Sequence, residues 1–216
     1  MQKVNRAVVL KTFTVLTALV AWCALGLQLV LVIQKMTGEG ASILQALRRF
    51  FGFFTILING MVAVVATAMV IRPNSILANA NARLATATSI LMVGLIYSVA
   101  LRAIWQPTGW QAVVDHALHD VTPVLFVLSW FLADHGRLQP RHAIWAMAPG
   151  FVYFVYALIR GAADGWYAYW FLNPASLPPA QMATNVGIFL LTFSVVALAF
   201  VRLDKWLAQP NQKLKY

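Results

Sequence analysis

Residues 115–120 (DHALHD) bring four ionisable side chains to the start of an otherwise apolar stretch of the chain. On a helix, residues four apart share a face, so Asp115 lies beside His119 and His116 lies beside Asp120. Each histidine thereby gains a carboxylate that can fix its tautomer and its orientation. This doubled pairing is the pattern in the chain that most directly indicates acid–base chemistry.

A hydroxyl becomes a nucleophile when a base removes its proton, and the base works best when a third group orients it. Thr55 lies seven residues after Arg48, and His119 lies eight residues after Gln111. At 1.5 Å per residue, both side chains then lie roughly 10–12 Å below the same end of a helical bundle. We therefore predict Thr55 as nucleophile, His119 as base and Asp115 as the orienting carboxylate.

Other polar residues near this level are candidates for binding a substrate. Asn59 lies one turn deeper on the Thr55 face, where its amide can stabilise a developing oxyanion or join two helices. Arginines suit an anionic lipid head, although arginines at span ends also extend to headgroups for structural reasons. Threonines in membrane helices often bond their own backbone one turn back, which is the structural alternative for Thr55. The predicted binding residues are Asn59, Arg49, Arg102, His116, Asp120 and Arg160.

The elements that must position these residues are indicated by the composition. Hydrophobic residues make up 61% of the 216 residues and charged residues only 10%, and the mean hydropathy is +0.75. This composition excludes an ordinary soluble domain and is typical of an all-α membrane protein. Since a span needs roughly 20 apolar residues, we predict one transmembrane domain over residues 1–216, a bundle of six helices. The predicted spans are residues 7–34, 48–71, 84–104, 111–133, 142–160 and 181–202.

The basic residues indicate an orientation for the bundle. Eleven of the 16 Lys and Arg residues fall at the N-terminus, between spans two and three, between spans four and five, or at the C-terminal end, where Arg202 is followed by the basic tail from Leu203 to Tyr216. The positive-inside rule then predicts that both termini are cytoplasmic. The basic residues are scattered over span ends instead of forming one patch, so the net charge of +10 does not indicate nucleic-acid binding.

Two other chemistries fit the Asp/His cluster. His116 and His119 with a neighbouring carboxylate could ligate a metal, but no second such cluster occurs in another span, so we predict no metal and no cofactor. A transporter or lipid-binding protein would also keep acidic and histidine residues within the membrane. The cluster lies near one face instead of the midplane, and the chain has no repeated half, which argues against a transporter. A transporter or lipid-binding protein is nevertheless the leading alternative to the hydrolase, and a metal-dependent enzyme is the third.

One set of residues, distributed over most of the chain, carries a resemblance to known membrane proteins: Arg49 to Phe51, Thr55, Asn59, Tyr97, Leu101, Arg102, Trp105, Pro107, Asp115 to His119, Pro123, Tyr156, Arg160, Gly161, Tyr167 and Tyr169 to Phe171. With these residues the chain resembles the Pr6Pr family of bacterial membrane proteins along nearly its whole length. It is similar, more distantly, to the androgen-induced, FAR-17a-like family of six-span proteins. That second resemblance implies hydrolysis of fatty-acid esters of hydroxy fatty acids, with the threonine nucleophile at Thr55 and the histidine at His119. The first implies a location in the bacterial cytoplasmic membrane.

Overall fold

The computed structural model describes residues 2–208 of the chain, and its regular elements in that range are all helical. Two short 3₁₀ turns lie in the connections, and two five-residue π-helical segments extend longer helices. The α-helices are α1 (Gln2–Gly38), α2 (Ile43–Phe50), α3 (Phe54–Ile71), α4 (Ala80–Ile96), α5 (Gly109–His116), α6 (Thr122–Leu132), α7 (His142–Ala146), α8 (Ala148–Asp164) and α9 (Pro179–Ala208). The predicted all-α class is confirmed.

Six of the helical stretches are long and apolar enough to cross a membrane. They comprise residues 6–38, 54–71, 80–101, 109–132, 142–164 and 179–208. The chain therefore has the make-up of an integral, multi-pass membrane protein, with the predicted number of spans. The tail predicted from Leu203 begins as a continuation of α9 up to Ala208, while Lys213 and Lys215 lie outside the described residues.

The predicted second span, residues 48–71, is wrong at its start. Arg48 and Arg49 belong to the separate helix α2, and α3 begins only at Phe54. In a continuous helix the carbonyl of Phe51 would accept the N–H of residue 55. Here the hydroxyl of Tyr156 lies 3.3 Å from that carbonyl and donates to it, so α8 holds the chain in an open turn between the two helices.

Helix α2 is short and amphipathic. Its N-terminus has a capping box, in which Ser42 accepts from the Gln45 N–H and the Gln45 side chain accepts from the Ser42 N–H. Ile43 and Leu44 are 59% and 67% exposed at this end. The helix thus presents apolar side chains outward at the end of the bundle that also carries the predicted site.

The π-helical segments, Tyr97–Leu101 and Ala117–Val121, lie in the third and fourth spanning stretches. The second precedes Pro123, which lacks the N–H that would bond the carbonyl of His119 and whose ring would crowd that carbonyl in a regular helix. The extra residue of a π-turn relieves this conflict. The length of the apolar stretches predicted ordinary spanning helices over residues 84–104 and 111–133, so both π segments are corrections to that expectation.

The core lies around α3 and α4, the most buried of the spanning helices, whereas α1 and α9 are the most exposed. At the end opposite the predicted site, Arg6 donates to the carbonyls of Leu132 and Ala133. The buried carboxylate of Asp204 accepts from the N–H groups of Gly136 and Leu138. These contacts tie the chain ends of the described range to the loop after α6.

Candidate active site

The predicted contact between the second and fourth spans is present. Thr55 Oγ1 lies 3.2 Å from His119 Nε2, although the two residues are 64 positions apart in the chain. Thr55 is the second residue of α3, and His119 lies in the π segment before α6. The sequence suggested that Thr55 lies in the second turn of a helix that begins at Arg48. Because α3 starts at Phe54, Thr55 instead lies in the first turn of its helix, at the level of His119.

The position of Thr55 explains why its hydroxyl is free to meet an imidazole. Thr14, Thr17 and Thr86, all within helices, donate to the carbonyl four residues earlier at 2.7 Å. For Thr55 that carbonyl belongs to Phe51, which lies in the turn before the helix and accepts from Tyr156. The structural alternative predicted for Thr55, a bond to its own backbone one turn back, is therefore not what the geometry shows.

The Asp115 carboxylate and backbone define the tautomer of His119. His119 Nδ1 lies 3.0 Å from the Asp115 carbonyl oxygen and 3.3 Å from its Oδ1. Both neighbours are acceptors, so Nδ1 carries the proton and Nε2 is left to accept from Thr55. The order hydroxyl, imidazole, carboxylate is the one in which a weak hydroxyl nucleophile is activated in hydrolases.

Two aromatic residues not among the predicted site residues complete the surroundings of Asp115. Its carboxylate is 3% exposed and accepts from the hydroxyl of Tyr97 and from Trp105 Nε1, the latter at 3.1 Å. The Tyr97 ring also stacks on His119, with centroids 4.0 Å apart and planes 14° from parallel. The buried carboxylate of Asp115 thus has hydrogen-bond donors on both oxygens. The imidazole of His119 is held by the Tyr97 ring on its face and by Asp115 at its Nδ1 edge.

Tyr169 is a further site residue that sequence reasoning did not select. It is 8% exposed and lies in the connection between α8 and α9. Burial raises the pKa of its phenol, while the neighbouring polar groups of Thr55 and Phe54 act in the opposite direction. The phenol therefore stays protonated beside Thr55. Tyr169 is among the residues that carry the family resemblance, but the sequence predicted no role for it.

A cavity of about 330 Å³ opens beside the reacting pair. This volume falls at the lower end of the range of small-molecule sites, roughly 300–1,000 Å³. Its wall is mostly apolar and aromatic, and it includes Thr55, Asp115 and His119. On another side of the wall, Gln111 donates to Gln28 at 2.9 Å, which adds a polar amide pair to the lining. The arrangement suits an amphipathic ligand with a reactive carbonyl.

The predicted oxyanion donor, Asn59, is used for another purpose. Its amide nitrogen donates to the carbonyls of Thr55 and Leu118 at 2.9 Å and 3.1 Å, and the residue is fully buried. Both N–H groups are thereby occupied, so Asn59 has no donor left for a substrate. It joins α3 to the π segment that carries His119, which is the other role that the sequence allowed.

The second Asp/His pair forms as predicted but faces away from the cavity. His116 Nδ1 lies 2.8 Å from Asp120 Oδ2, and Arg102 donates to the same carboxylate. The hydrogen bond to Asp120 raises the pKa of Arg102. The side chains of His116 and Arg102 are 63% and 41% exposed, and none of the three residues lines the cavity. They form an exposed ionic cluster at the rim.

Arg49 and Arg160 form a separate group around Trp166. Their guanidinium carbons lie 4.2 Å and 4.6 Å from the centroid of its ring, and Arg160 also bonds Asp164 at 3.3 Å. Burial and the neighbouring Arg160 lower the pKa of Arg49. Neither arginine lines the cavity. Both instead brace the connection after α8 against the turn between α2 and α3.

Metal-ligating side chains do not converge in the described part of the chain. Within residues 2–208, no three His, Cys, Asp or Glu side chains form a group that could hold a metal ion. The two Asp/His pairs are directed to different places, one into the cavity and one to the exposed rim.

Comparison of the chain with protein-family models, with curated proteins and with solved structures finds no match. The roles assigned to the site residues accordingly rest on their geometry and chemistry.

Proposed function

We propose that the protein is a membrane-embedded hydrolase of lipid esters in which Thr55 is the nucleophile. The observation that carries this proposal is the 3.2 Å contact between Thr55 Oγ1 and His119 Nε2 at the wall of a cavity. The opposite ring nitrogen of His119 is held by Asp115. A hydroxyl, a neutral imidazole and a carboxylate in this order activate a nucleophile at neutral pH.

The reaction proceeds in two steps. Thr55 Oγ attacks the ester carbonyl carbon while its proton moves to His119 Nε2; the ester C–O bond then breaks, and the leaving alkoxide takes that proton. Water next attacks the acyl-threonine and gives a proton to His119, which returns it to Thr55 as the acyl bond breaks. The protonated phenol of Tyr169, beside Thr55, takes over from Asn59 the role of hydrogen-bonding the developing oxyanion.

The substrate class follows from the surroundings of the pair. The cavity wall is largely apolar, and the six long helices are of the kind that lie in lipid, so a lipid ester would reach the site from the bilayer. The resemblance to the androgen-induced, FAR-17a-like family supports fatty-acid esters of hydroxy fatty acids as substrates. The resemblance to the Pr6Pr family supports the bacterial cytoplasmic membrane as the location, with both termini in the cytoplasm.

Labelling with a fluorophosphonate probe and hydrolysis of a branched fatty-acid ester, both in detergent, test the proposal. Wild type is expected to be labelled and active, and Thr55→Ala should lose the labelling. Each of the variants Thr55→Ala and His119→Ala should lower kcat by at least about 10²-fold. Thr67→Ala is the matched control, because Thr67 bonds the Ala63 carbonyl at 2.7 Å and lies outside the site.

Rates that are unchanged in both site variants would overturn the hydrolase proposal. If wild type binds lipid, turns over no ester and is not labelled, a lipid-binding protein or transporter replaces it. The open, largely apolar cavity is the feature that such a binding function would use.

A further inference from the structure

A second, much smaller cavity lies on the other side of Thr55. Its volume is about 30 Å³, against about 330 Å³ for the cavity described above. Four residues contribute to the walls of both cavities and thus form a partition between them: Thr55, Tyr97, Leu101 and Tyr169. The proposed nucleophile therefore stands in a wall, with space for a ligand on either side.

The two cavities differ in chemistry. The smaller one is lined mainly by aliphatic and aromatic side chains, among them Phe154, Val186 and Phe189. The larger one also carries the Gln28–Gln111 amide pair and the Asp115 carboxylate. The amide in the lining of the smaller cavity, Asn185, already accepts from Gln181 and donates to the Phe171 carbonyl. A hydrocarbon chain is therefore accommodated there at little desolvation cost, and a polar or bulky group is better accommodated in the larger cavity.

The position of His119 assigns a side of the ester to each cavity. His119 lines the larger cavity but not the smaller one. In the proposed reaction it must give its proton to the leaving alcohol, so the leaving oxygen has to lie on the side where His119 is exposed. The acyl chain projects from the carbonyl carbon in the other direction, and the smaller cavity is on that side of Thr55.

From these observations we infer that the smaller cavity is the acyl pocket of the enzyme and that Phe189 limits the length of the acyl chain it accepts. The inference rests on the proposed hydrolase function and adds to it a side for each half of the ester: the acyl chain in the smaller cavity and the alcohol in the larger one. The smaller cavity is about 30 Å³ against about 330 Å³ for the larger one. An acyl chain therefore extends past it only when Phe189 or one of its neighbours moves aside.

Hydrolysis of a series of 4-nitrophenyl esters measures the acyl preference directly, because the leaving group is constant. One methylene more or less in an apolar pocket changes kcat/KM by roughly tenfold or more, so widening or filling the smaller cavity should change the chain-length profile of wild type. Phe189→Ala should raise the octanoate-to-acetate ratio by roughly tenfold. Val186→Phe, which fills the same cavity, should lower the butyrate-to-acetate ratio.

Phe126→Ala is the control for general loosening of the bundle. Phe126 is 1% exposed and lines neither cavity. Phe126→Ala removes the same side-chain atoms as Phe189→Ala, but from the core. It should therefore leave the octanoate-to-acetate and butyrate-to-acetate ratios within about twofold of wild type. Rates of Thr55→Ala are subtracted throughout, and each variant is compared with wild type by gel filtration in the same detergent.

The possible outcomes separate the two proposals. Hydrolysis that depends on Thr55 but has the same chain-length profile in wild type, Phe189→Ala and Val186→Phe would overturn the acyl-pocket inference and leave the hydrolase standing. Absence of Thr55-dependent hydrolysis of every ester in the series would overturn the hydrolase proposal and, with it, the inference.

Discussion

The same carboxylate–imidazole pair occurs twice within six residues, and the two copies differ in their surroundings. Asp115 is almost fully buried and accepts from two aromatic donors as well as from His119. Asp120 is partly exposed and is shared by His116 and Arg102. A buried, fully hydrogen-bonded carboxylate can fix an imidazole for catalysis, whereas an exposed ion pair contributes little energy.

Asp115→Asn and Asp120→Asn make the same chemical change at these two sites and should give different results. Asp115→Asn removes the charge beside Nδ1 of His119 and should lower kcat by about 10²-fold, because the imidazolium formed during attack is no longer stabilised. Asp120→Asn should change kcat less than about threefold. Steady-state hydrolysis of a short-chain ester measures both effects, and equal losses in the two variants would contradict the role given to Asp115.

Sequence reasoning at this scale succeeded where a residue's neighbours in the chain decide its environment. The Asp115–His119 pair follows from helical spacing alone. The Thr55–His119 contact was predicted from matched depth, but that depth was counted along a continuous helix from Arg48, and the structure breaks this helix before Phe54. The contact is therefore present although the helix assumed for it is not. Tyr169 and Trp105 lie in connections between helices, where neither periodicity nor depth is defined, so their contacts with the site were not predictable. Arg49, Arg102 and Arg160 were predicted as binding residues from their depth, which does not define the direction of a side chain. In the structure Arg49 and Arg160 contact Trp166, Arg102 contacts Asp120, and none of the three lines the cavity.

At the scale of elements, the segment 165–172 after α8 closes the site from one side. Gly165, with φ of +72°, ends α8 in the left-handed conformation that favours glycine. The segment then packs Trp166 against the two arginines and brings Tyr169 to the cavity wall. Gly161 of α8 permits this approach, since a Cβ there would lie 2.1 Å from Tyr167 Cε1.

Gly161→Ala should therefore displace the segment 165–172. We expect the variant to lose about 1–3 kcal/mol of stability through overpacking and to hydrolyse esters several-fold more slowly, because Ala168 and Tyr169 of the cavity wall move with Tyr167. Gly187→Ala is the matched control: nothing lies within 4 Å of a Cβ at this helical position, so the variant should be stabilised by about 0.5–1 kcal/mol. Thermal unfolding in detergent and ester hydrolysis provide the measurements, and unchanged values for Gly161→Ala would contradict the packing argument.

The number and class of the helices were predictable because each apolar stretch must bury its backbone hydrogen bonds internally. Their ends were less predictable. The break between α2 and α3 depends on tyrosines of α8, which occupy carbonyls that a continuous helix would use. The π segment before α6 has a local cause in Pro123, but the choice of a π-turn over a kink depends on how α4 and α6 pack. Gly94 of α4, whose Cβ would lie 3.3 Å from the His119 carbonyl oxygen, is part of that packing.

For the whole molecule, the distribution of Lys and Arg predicts which end faces the cytoplasm. The site lies at the end that carries Arg48, Arg49, Arg102 and Arg160, and the more basic end holds the loops after α3 and α6. By the positive-inside rule, the site should then open toward the non-cytoplasmic leaflet.

Labelling with a membrane-impermeant maleimide tests this orientation. In a Cys23→Ser background, which removes the single cysteine, Ser176→Cys should react in intact cells, since Ser176 lies in the connection at the site end. Asn74→Cys, in the connection after α3, should react only after lysis. The reverse pattern would place the site on the cytoplasmic side.

Helix α2 gives the molecule one further property. Its exposed Ile43 and Leu44 are suited to lie in the headgroup layer of a bilayer, as in amphipathic helices that rest on membranes. Only residues 51–53 separate its last residue from α3, which begins at Phe54 and carries Thr55. A thicker or thinner host membrane that tilts α2 would therefore displace the proposed nucleophile, and the proposed function then predicts a rate of ester hydrolysis that varies with bilayer thickness.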